Sequence, residues 1–492
     1  MDVRLTQNGV SVKVNELAKI YPGEKLQKFR RKFYVRTKIR EGVYKAANIY
    51  SMEGPTGDKS LILPRMGAFK FLPKQFNVTY EIPAFKKIKI SKKASDGLTL
   101  KEYQAVALEY LTNNFFNDDM MAEGKACCTF QMQPGAGKTY LAMGLIRYLS
   151  VKTLIIVPNT FLLKQWKTDL VKIFGESKIG EFSGTKKVDS DITLMVINSA
   201  LADEFLNRSY EEYFELFGLA IFDEVHMYCS DERKKIFERT NLPYVLGMTA
   251  TPGERLDAFD VIYYRHLGEP IMAENIPGFS YSSIQFTGRV KAIAYSGPAS
   301  HTAPITNESN GMLSVAAMIN QFADDSYRNQ LIVDEIYELY EKGHNIFVFS
   351  DRRAHLVTLE TSLKAKGVVT FIDDGEKPTQ VLVGGSTDDQ ITHARKNARV
   401  ILTTYGYSDT GVSIDKMDAL VFATPRKSQI KQKVGRIFRA GGDNAIQRVI
   451  VDIIDANTAL KRQYSSRKKI YDLRGFQIER VKKNYTDINV PA

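Results

Sequence analysis

The segment Met132-Gln-Pro-Gly-Ala-Gly-Lys-Thr139 carries residue types that bind phosphate. Its glycines let the backbone turn N–H groups toward phosphate oxygens, and the helical pattern that follows adds the positive end of a helix dipole. Lys138 would reach the β- and γ-phosphates of a nucleotide, while the Thr139 hydroxyl would coordinate Mg²⁺. Met132 stands where the usual pattern has its first glycine. The predicted nucleotide contacts are Gly135, Ala136, Gly137, Lys138 and Thr139.

A second candidate is the acid pair within Leu219-Ala-Ile-Phe-Asp-Glu-Val-His226. An apolar run that ends in two acids places both carboxylates at the carboxyl end of a buried strand, the edge where open α/β sheets bind ligands. Asp223 would hold Mg²⁺, and Glu224 would orient and deprotonate an attacking water. Alone, the pair also fits a strand end with solvated acids. The phosphate-binding segment upstream favours the catalytic interpretation.

A third candidate is Gln432-Lys-Val-Gly-Arg-Ile-Phe-Arg439. If this segment is helical, Gln432, Arg436 and Arg439 are spaced i, i+4 and i+7 and share one face. Two guanidinium groups on one face can stabilise negative charge that develops on a transferred phosphoryl group. The alternative for this segment is an exposed basic helix face.

The elements that must position these residues alternate between apolar strands and amphipathic helices, as in parallel α/β layers. The predicted strands are 126–132, 153–157, 192–197, 219–222 and 245–248, followed by 345–350, 400–404 and 419–423. Helical periodicity covers 140–149 and 161–174. The polar stretch 296–312 predicts a long loop between the two runs.

The charge distribution predicts a polyanionic partner. The net charge is +12, residues 1–95 hold 21 Lys and Arg against 7 Asp and Glu, and residues 461–492 hold 9 against 3. Short strands are expected at 32–40 and 85–90, and their basic face would bind nucleic acid through phosphates and through stacking on Phe29, Phe33, Tyr34 and Tyr44. The candidate phosphate contacts are Lys28, Arg30, Arg31, Lys32, Arg36, Lys38 and Arg40. The alternative is a half-buried sheet whose solvent side is basic.

Composition excludes several classes of protein. Hydrophobic residues make up 44% and charged residues 25%, as in ordinary globular chains, and no apolar run approaches the ~20 residues of a membrane span. The N-terminus lacks the apolar core of a signal peptide, and three cysteines cannot build a disulfide framework or a zinc site. We expect a reducing cytoplasmic compartment, which is the host cytoplasm if the chain is viral. The spacing of Trp166 predicts a core residue.

Taken in order over residues 98–455, these motifs resemble those of superfamily 2 helicases and translocases. Asp-Glu-Val-His at 223–226 is similar to the family's DExH box, and 432–439 matches its QxxGRxxR motif. The resemblance implies two tandem RecA-like parallel-sheet domains, with ATP and Mg²⁺ between them and a nucleic-acid strand across their top. The expected divisions are a basic N-terminal module at 1–95, RecA-like domains at 96–290 and 326–455, a linker at 291–325 and a basic C-terminal extension at 456–492.

The resemblance also implies roles for individual residues. Gln104 is the expected contact to adenine, and Gly411 and Asp415 are further expected cofactor contacts. Arg436 and Arg439 are expected to act as arginine fingers. His226, Thr249 and Thr251 are expected to couple hydrolysis to domain movement, although His226 also fits a packed polar group. The expected contacts to the nucleic-acid backbone are Pro158, Asn159, Gly184, Thr185, Ser199, Ser350 and Thr404.

The motif variants are similar to those of compact phage branch-migration and recombination helicases. That similarity implies a monomeric ATP-dependent DNA helicase that remodels forks, D-loops and Holliday junctions. The same compact plan also resembles transcript-release helicases of large DNA viruses. The alternative function is therefore a viral transcript-release or duplex-DNA translocase ATPase that does not separate strands. DEAD-box RNA helicases fit poorly because their box reads Asp-Glu-Ala-Asp. Polarity, protein partners and the choice between DNA and RNA stay open.

Overall fold

The computed structural model describes residues 2–40, 43–253, 255, 257–281, 288–368, 379–409, 414, 416–427, 430–438 and 446–490. The chain divides into two compact units, residues 1–281 and 282–492. Within the described ranges no helix has the length and apolar character needed to cross a membrane.

The N-terminal part of the first unit contains a five-stranded sheet and a separate hairpin. Its elements are β1 Asp2–Thr6, β2 Gly9–Lys13, α1 Val14–Ile20, α2 Glu24–Arg31, β3 Tyr34–Arg40, β4 Val43–Asn48, β5 Ser51–Glu53, β6 Ser60–Leu63, α3 Arg65–Phe71, β7 Asn77–Tyr80 and α4 Lys92–Gly97. The sheet order is β5-β6-β2-β1-β7, and only the β1–β7 pair is parallel. Strands β3 and β4 form an antiparallel hairpin of their own.

This N-terminal part does not have a core of its own. Its buried residues, such as Phe29 and Phe33, belong to one apolar cluster that continues into the rest of the first unit. The fully buried guanidinium of Arg65 donates to the carbonyls of Gly124 at 2.6 Å and Leu242 at 2.7 Å. Shared burial thus joins residues 1–95 to the sheet that follows, and the division expected at residue 95 stays a prediction.

The strand predicted at 85–90 is also corrected. This segment runs as extended chain, with one isolated bridge between Lys87 and Val151. The N–H of Lys86 donates to the Leu216 carbonyl at 3.1 Å, and the N–H of Ile88 donates to the Ser150 carbonyl at 2.9 Å. These backbone bonds go to connecting segments of the following sheet, so the alternating Lys and Ile residues do not build a strand of the N-terminal sheet.

The remainder of the first unit is an eight-stranded sheet with helices. Its elements are α5 Glu102–Asn114, α6 Asp118–Ala122, β8 Cys127–Gln131, α7 Lys138–Leu149, β9 Thr153–Val157, α8 Thr160–Phe174, β10 Ile179–Ser183, β11 Lys186–Val188, β12 Ile192–Val196, α9 Ile197–Ala200, β13 Glu204–Phe205, β14 Arg208–Ser209, α10 Tyr210–Phe214, β15 Leu219–Phe222, α11 Lys235–Arg239, β16 Tyr244–Thr249, α12 Val261–Leu267 and β17 Pro270–Met272. The sheet order is β11-β10-β12-β9-β15-β16-β8-β17, with β13 and β14 forming a separate ribbon.

All pairs in this sheet are parallel except β10–β11. Every residue of β9 is buried, which explains its unbroken apolar sequence, because a central parallel strand is covered on both faces. The carboxyl ends of parallel strands lie at one edge of a sheet. Strands β15, β16 and β8 are consecutive neighbours, so the segments that follow them meet at that edge.

The second unit is built around seven parallel strands in the order β20-β21-β19-β22-β23-β18-β24. Its elements are β18 Gly288–Ser296, α13 Ala299–Thr302, α14 Val315–Ala323, α15 Ser326–Glu341, β19 Ile346–Ser350, α16 Arg353–Ala365, β20 Thr379–Leu382, α17 Asp388–Lys396, β21 Val400–Thr404, α18 Tyr405–Asp409, β22 Ala419–Phe422, α19 Ile430–Arg436, β23 Arg448–Asp455, α20 Tyr464–Leu473 and β24 Gln477–Asn484.

Two expected divisions of this unit are corrected by its sheet. The expected linker at 291–325 begins inside β18, which pairs with β23 and β24, and it also contains α13 and α14. The expected C-terminal extension contributes α20 and the edge strand β24. Strands β18 and β24 lie at or next to the edge of the sheet, so they are less completely buried than the central strands and have alternating rather than continuous apolar sequences. Such alternation indicates a strand less clearly than a continuous apolar run does.

The predicted strands of both runs are confirmed within a residue or two at their ends, as are the helices predicted at 140–149 and 161–174. Each unit thus contains one large sheet of mainly parallel strands, as predicted.

Candidate active site

The phosphate-binding segment follows β8 and leads directly into α7, as predicted. Gly135 and Gly137 have φ values of +80° and +83°, and Gly137 caps α7 in the left-handed conformation. Side chains rarely adopt this conformation, so the two glycines are required here. Met132 is fully buried, and its N–H donates to the carbonyl of Thr249 at 3.2 Å. The buried methionine therefore anchors the start of the loop to β16.

Gln104 holds this loop from the α5 side. Its Nε2 donates to the carbonyls of Ala136 at 2.9 Å and Gly137 at 3.2 Å, and its Oε1 accepts from the N–H of Lys101 at 2.9 Å. A Cβ at Gly137 would lie 2.3 Å from Gln104 Nε2. Both ends of the carboxamide are thus engaged within the protein. Gln104 thus supports the phosphate-binding loop, and its contact with adenine stays a prediction.

Aromatic residues support the same loop. The Tyr103 hydroxyl donates to the Ala136 carbonyl at 3.0 Å, and the Tyr281 hydroxyl accepts from the N–H of Gln133 at 3.0 Å. The rings of Tyr103 and Tyr281 pack with centroids 5.7 Å apart. These residues come from separate parts of the sequence, and nothing in the local pattern around them marks them as loop supports.

The acid pair follows β15, next to β16 in the sheet. Asp223 is 7% exposed, and burial raises the pKa of its carboxyl to about 6, with the charge of Glu224 adding to the effect. Its Oδ2 accepts from the indole N–H of Trp166 at 2.8 Å, and its Oδ1 accepts from the N–H of Glu224 at 3.1 Å. The charge of Lys138 acts in the opposite direction and lowers the same pKa.

Glu224 has an unusual backbone conformation, with φ of +49° and ψ of 52°. This left-handed conformation is strained for a residue with a side chain, and such strain concentrates at functional sites. Its Oε2 is buried, and among the described residues it has no hydrogen-bond partner. No hydrogen bond within the described residues therefore engages this oxygen, as the role of a general base requires.

The three residues predicted to couple the site lie together. His226 Nδ1 lies 3.0 Å from Thr249 Oγ1, which accepts from the N–H of Thr251 at 3.1 Å. His226 Nδ1 is also 3.5 Å from the Glu224 carboxylate. Burial lowers the pKa of His226 to about 4, so the imidazole is neutral near pH 7. Through the Thr249 carbonyl, this chain of contacts reaches Met132 at the start of the loop.

ATP and Mg²⁺ fit this arrangement. The loop presents glycine backbone and Lys138 at a helix N-terminus, and Asp223 is a buried carboxylate whose ionisation a cation would favour. The residues described contain no cluster of three or more His, Cys, Asp or Glu suited to a metal. Mg²⁺ is commonly held by one or two protein groups together with phosphate oxygens and water, which suits Thr139 and Asp223 as ligands.

The predicted nucleic-acid contacts of the first unit lie at the same edge of the sheet. Pro158 and Asn159 follow β9, Gly184 and Thr185 follow β10, and Ser199 lies in the short helix after β12. Thr185 is exposed and Ser199 is half-buried, while Pro158 is buried. The Asn159 side chain caps α8 by accepting from the N–H of Leu162 at 2.9 Å. The structure thus places these residues along the edge of the sheet that also carries the acid pair.

The second unit places its predicted residues less uniformly. Ser350 ends β19 and is fully buried, and its hydroxyl lies 3.0 Å from His355 Nδ1. The hydroxyl is therefore used within the protein, and the contact of Ser350 with nucleic acid stays a prediction. Thr404 ends β21 and is half-buried. Gln432 and Arg436 lie one turn apart in α19, and Arg436 is 7% exposed. The predicted Gly411, Asp415 and Arg439 lie outside the described residues.

The basic candidates of the N-terminal part are largely exposed. Lys28, Arg31, Lys32, Arg36 and Lys38 are exposed, whereas Arg30 is half-buried and donates to the Tyr50 hydroxyl at 2.7 Å. Arg40 ends β3. Phe29 and Phe33 are 1% and 0% exposed, so their predicted stacking on nucleic acid is corrected to core packing, while Tyr34 and Tyr44 are exposed.

Comparison with known proteins identifies the family. A protein named "Putative ATP-dependent RNA helicase QP509L" from African swine fever virus (isolate Warthog/Namibia/Wart80/1980) is 30% identical over 375 residues, which cover 72% of this chain and 69% of that protein. The chain belongs to the superfamily 2 helicases. This helicase also matches the family model described as type III restriction enzyme, res subunit, over residues 97–254.

Further relatives of the helicase agree with this assignment. "Probable helicase D10" of Escherichia phage T5 is 22% identical over 356 residues, covering 71% of this chain and 72% of that protein. Among solved structures, S. cerevisiae Dbp5 bound to Gle1 and IP6 has a TM-score of 0.51 at 14% identity, covering 82% of this chain and 96% of that chain. The helicase is thus an ATP-dependent enzyme of viral type with RecA-like folds.

Proposed function

We propose that this helicase remodels branched DNA, such as forks, D-loops and Holliday junctions, with energy from ATP hydrolysis at Lys138, Asp223 and Glu224. One observation carries the proposal: the exposed basic surface of residues 28–38 and the ATP site belong to a single compact unit with a continuous core. A motor whose duplex-binding surface and ATP site belong to one unit can hold a duplex arm of the junction while it moves along one strand, so the enzyme stays bound to the junction.

In the proposed reaction each residue has a separate task. The loop backbone and Lys138 hold the phosphates, and Thr139 and Asp223 would hold Mg²⁺, which neutralises charge on the phosphate oxygens when bound. Glu224 orients a water and takes its proton through the buried Oε2. Neutral His226 holds Thr249, so a change at the acid pair moves β16 and the loop together. Gln432, Arg436 and Arg439 stay predictions as the groups that stabilise the transferred phosphoryl charge.

Contacts by the N-terminal surface are proposed to be mainly with phosphates. Lys28, Arg31, Lys32, Arg36 and Lys38 have side chains in solvent and are available to neutralise a DNA backbone. Such contacts give binding that falls steeply with salt and depends little on sequence. This behaviour suits an enzyme that must act at any branch point.

Two other outcomes are part of the test. The African swine fever virus relative is named as an RNA helicase, which supports an RNA substrate as the second candidate. A duplex translocase that releases transcripts without separating strands is the other alternative.

The deciding experiment is ATP-dependent conversion of a labelled four-way junction, beside a DNA fork, a plain DNA duplex and an RNA fork. Faster conversion of the junction and the DNA fork supports the proposal. A preference for the RNA fork overturns the choice of DNA, and ATP turnover on plain duplex without strand separation favours a translocase.

Two variants test the proposed site itself. Lys138→Ala should abolish ATP hydrolysis and weaken ATP binding, while DNA binding remains. Glu224→Gln should retain ATP binding and lose hydrolysis, because the amide cannot accept a proton from water. Normal turnover in either variant would show that the roles are misassigned.

A further inference from the structure

One face of the β3–β4 hairpin is exposed along the described length of both strands. Inward and outward side chains alternate, as expected for strands with one face on a core. The register pairs Tyr34 with Asn48, Arg36 with Ala46 and Lys38 with Tyr44. These six outward side chains include two aromatic rings and two cations, and none is acidic.

The two rings on this face are unusually exposed for their size. Tyr34 is 42% exposed and Tyr44 is 50% exposed, whereas Phe29 and Phe33 nearby are buried in the core. Exposed aromatic rings beside cations are a combination that marks a binding surface, because each ring offers a flat apolar area for a partner.

Arg36 is already stacked on one of the rings. Its guanidinium carbon lies 4.0 Å from the centroid of the Tyr44 ring, which is close for a cation–π pair. The stack orients the ring and keeps the guanidinium charge at the surface. Lys38 faces Tyr44 across the hairpin and adds a second cation.

The inward face fixes the hairpin in place. Ala47 is 4% exposed in the core, and Val35 packs against the same cluster. Lys45 pairs with Asp257 at 3.1 Å and lies 4.4 Å from the Phe259 ring centroid. Within the described part of the chain, β3 and β4 pair only with each other. The inward face is therefore packed on the core, and the outward face is exposed to solvent.

We propose that this hairpin face binds unpaired nucleobases, which stack on Tyr34 and Tyr44 while Arg36 and Lys38 contact the adjoining phosphates. The inference rests on the proposed action on nucleic acid and assigns the hairpin part of the basic surface, Arg36 and Lys38, to an unpaired strand, which leaves Lys28, Arg31 and Lys32 for the duplex. A nucleic-acid strand matches both features of the face, because each nucleotide supplies a planar ring and a negative charge. An acidic peptide would match the cations and leave the two rings without planar partners. Single-stranded DNA and RNA share the required chemistry.

The test compares Tyr34→Leu and Tyr44→Leu with the wild-type chain in binding to a fluorescent single strand. Matched strands carry normal bases or abasic sites along the same phosphate backbone, in DNA and in RNA forms. Loss of one stacking contact should weaken binding to the normal strand roughly 10-fold and leave binding to the abasic strand unchanged. Tyr148→Leu, which removes a 56% exposed ring outside the hairpin, is the matched control and should bind both strands normally.

The outcomes separate this inference from the proposed function. Equal affinity of the hairpin variants and the wild type for the normal strand overturns the stacking site. An equal loss on normal and abasic strands also overturns it, because the rings would then act through the fold or through phosphate contacts. Failure of the wild-type chain to bind any nucleic acid would instead overturn the proposed function. Thermal unfolding of each variant shows that the exposed substitutions leave the core intact.

Discussion

The indole N–H of Trp166 donates a 2.8 Å hydrogen bond to Oδ2 of Asp223. Trp166 is 1% exposed and is the only tryptophan of the chain. Because the N–H of Glu224 donates to Oδ1, both oxygens of the carboxylate are held. Helix α8 therefore orients the predicted Mg²⁺ ligand, so Trp166 is a positioning residue as well as a core residue.

The first prediction concerns this bond. Trp166→Phe keeps an aromatic core residue and removes the donor, which leaves the Asp223 carboxylate less ionised and less well oriented. Hydrogen bonds to charged groups contribute about 1.5–3 kcal/mol, so we expect ATP turnover to fall roughly 10- to 100-fold. The Mg²⁺ concentration for half-maximal turnover should rise. Steady-state ATPase assays over a Mg²⁺ series measure both.

A control on the same helix separates positioning from packing. Ile173→Val removes buried volume from α8 without touching Asp223, and it should leave the Mg²⁺ requirement unchanged. If Trp166→Phe has wild-type turnover and a wild-type Mg²⁺ requirement, the bond to Asp223 does not position the ligand.

A second prediction follows from Gln104. Gln104→Ala removes the two bonds to the loop carbonyls, so the phosphate-binding loop loses its support. The KM for ATP should rise several-fold, on the order expected for losing about 1–2 kcal/mol of hydrogen bonding. The KM for GTP should rise by the same factor, because the loop contacts phosphates common to both nucleotides. A selective rise for ATP would instead support a contact with adenine.

The positions of the candidate residues that lie in a local pattern were predictable from the sequence. The loop at 132–139 and the acids Asp223 and Glu224 each follow an apolar run, and the end of a buried parallel strand has few alternative positions. The apolar strands themselves were predictable for the same reason, since central parallel strands need continuous apolar sequence.

Roles that depend on contacts between distant segments were not predictable. Trp166 has the spacing of a core residue, and only the packing of α8 against the sheet, at β9, β10 and β12, brings its N–H to Asp223. Gln104 and Ser350 are polar residues in expected motifs, yet tertiary contacts within the protein use their side chains. Phe29 and Phe33 lie among basic residues in the sequence. In the structure Phe29 lies in α2 and Phe33 in the turn before β3, and both rings are buried in the core.

A third prediction concerns pH and His266. Burial lowers the pKa of His266 to about 3, and its ring stacks with Phe237 at 5.2 Å between centroids. In the unfolded chain the imidazole has its ordinary pKa of about 6.5, so between pH 6.5 and 3 the unfolded state binds more protons than the folded state. The free energy of unfolding therefore falls as the pH drops through this range. His266→Phe keeps the stacking and removes the titration. When the pH is lowered from 7 to 5, the free energy of unfolding should fall by about 2 kcal/mol less in this variant than in the wild type.

Urea unfolding of the first unit at the two pH values measures this difference. His301→Phe, at a half-buried position of the second unit, is the control and should not change the pH dependence of the first unit. Identical pH dependence in the wild type and His266→Phe would show that His266 does not contribute to acid destabilisation.

The fourth prediction concerns a path from the hairpin to the ATP site. Lys45 of β4 pairs with Asp257 at 3.1 Å, Asp257 pairs with Arg255 at 2.7 Å, and Arg255 Nη1 donates to the His226 carbonyl at 3.0 Å. A nucleic acid that moves the hairpin would thus shift the segment that carries Glu224. In Lys45→Met we expect basal ATP turnover to stay within about 2-fold of wild type, because the lost pair is partly exposed and weak. Stimulation of turnover by single-stranded nucleic acid should fall several-fold.

Lys70→Met breaks an ion pair with Glu269 that has no connection to His226 in the described structure, so it should keep full stimulation. Only Lys45→Met removes the ion pair with Asp257. If nucleic acid stimulates ATP turnover equally in Lys45→Met and Lys70→Met, this path is excluded.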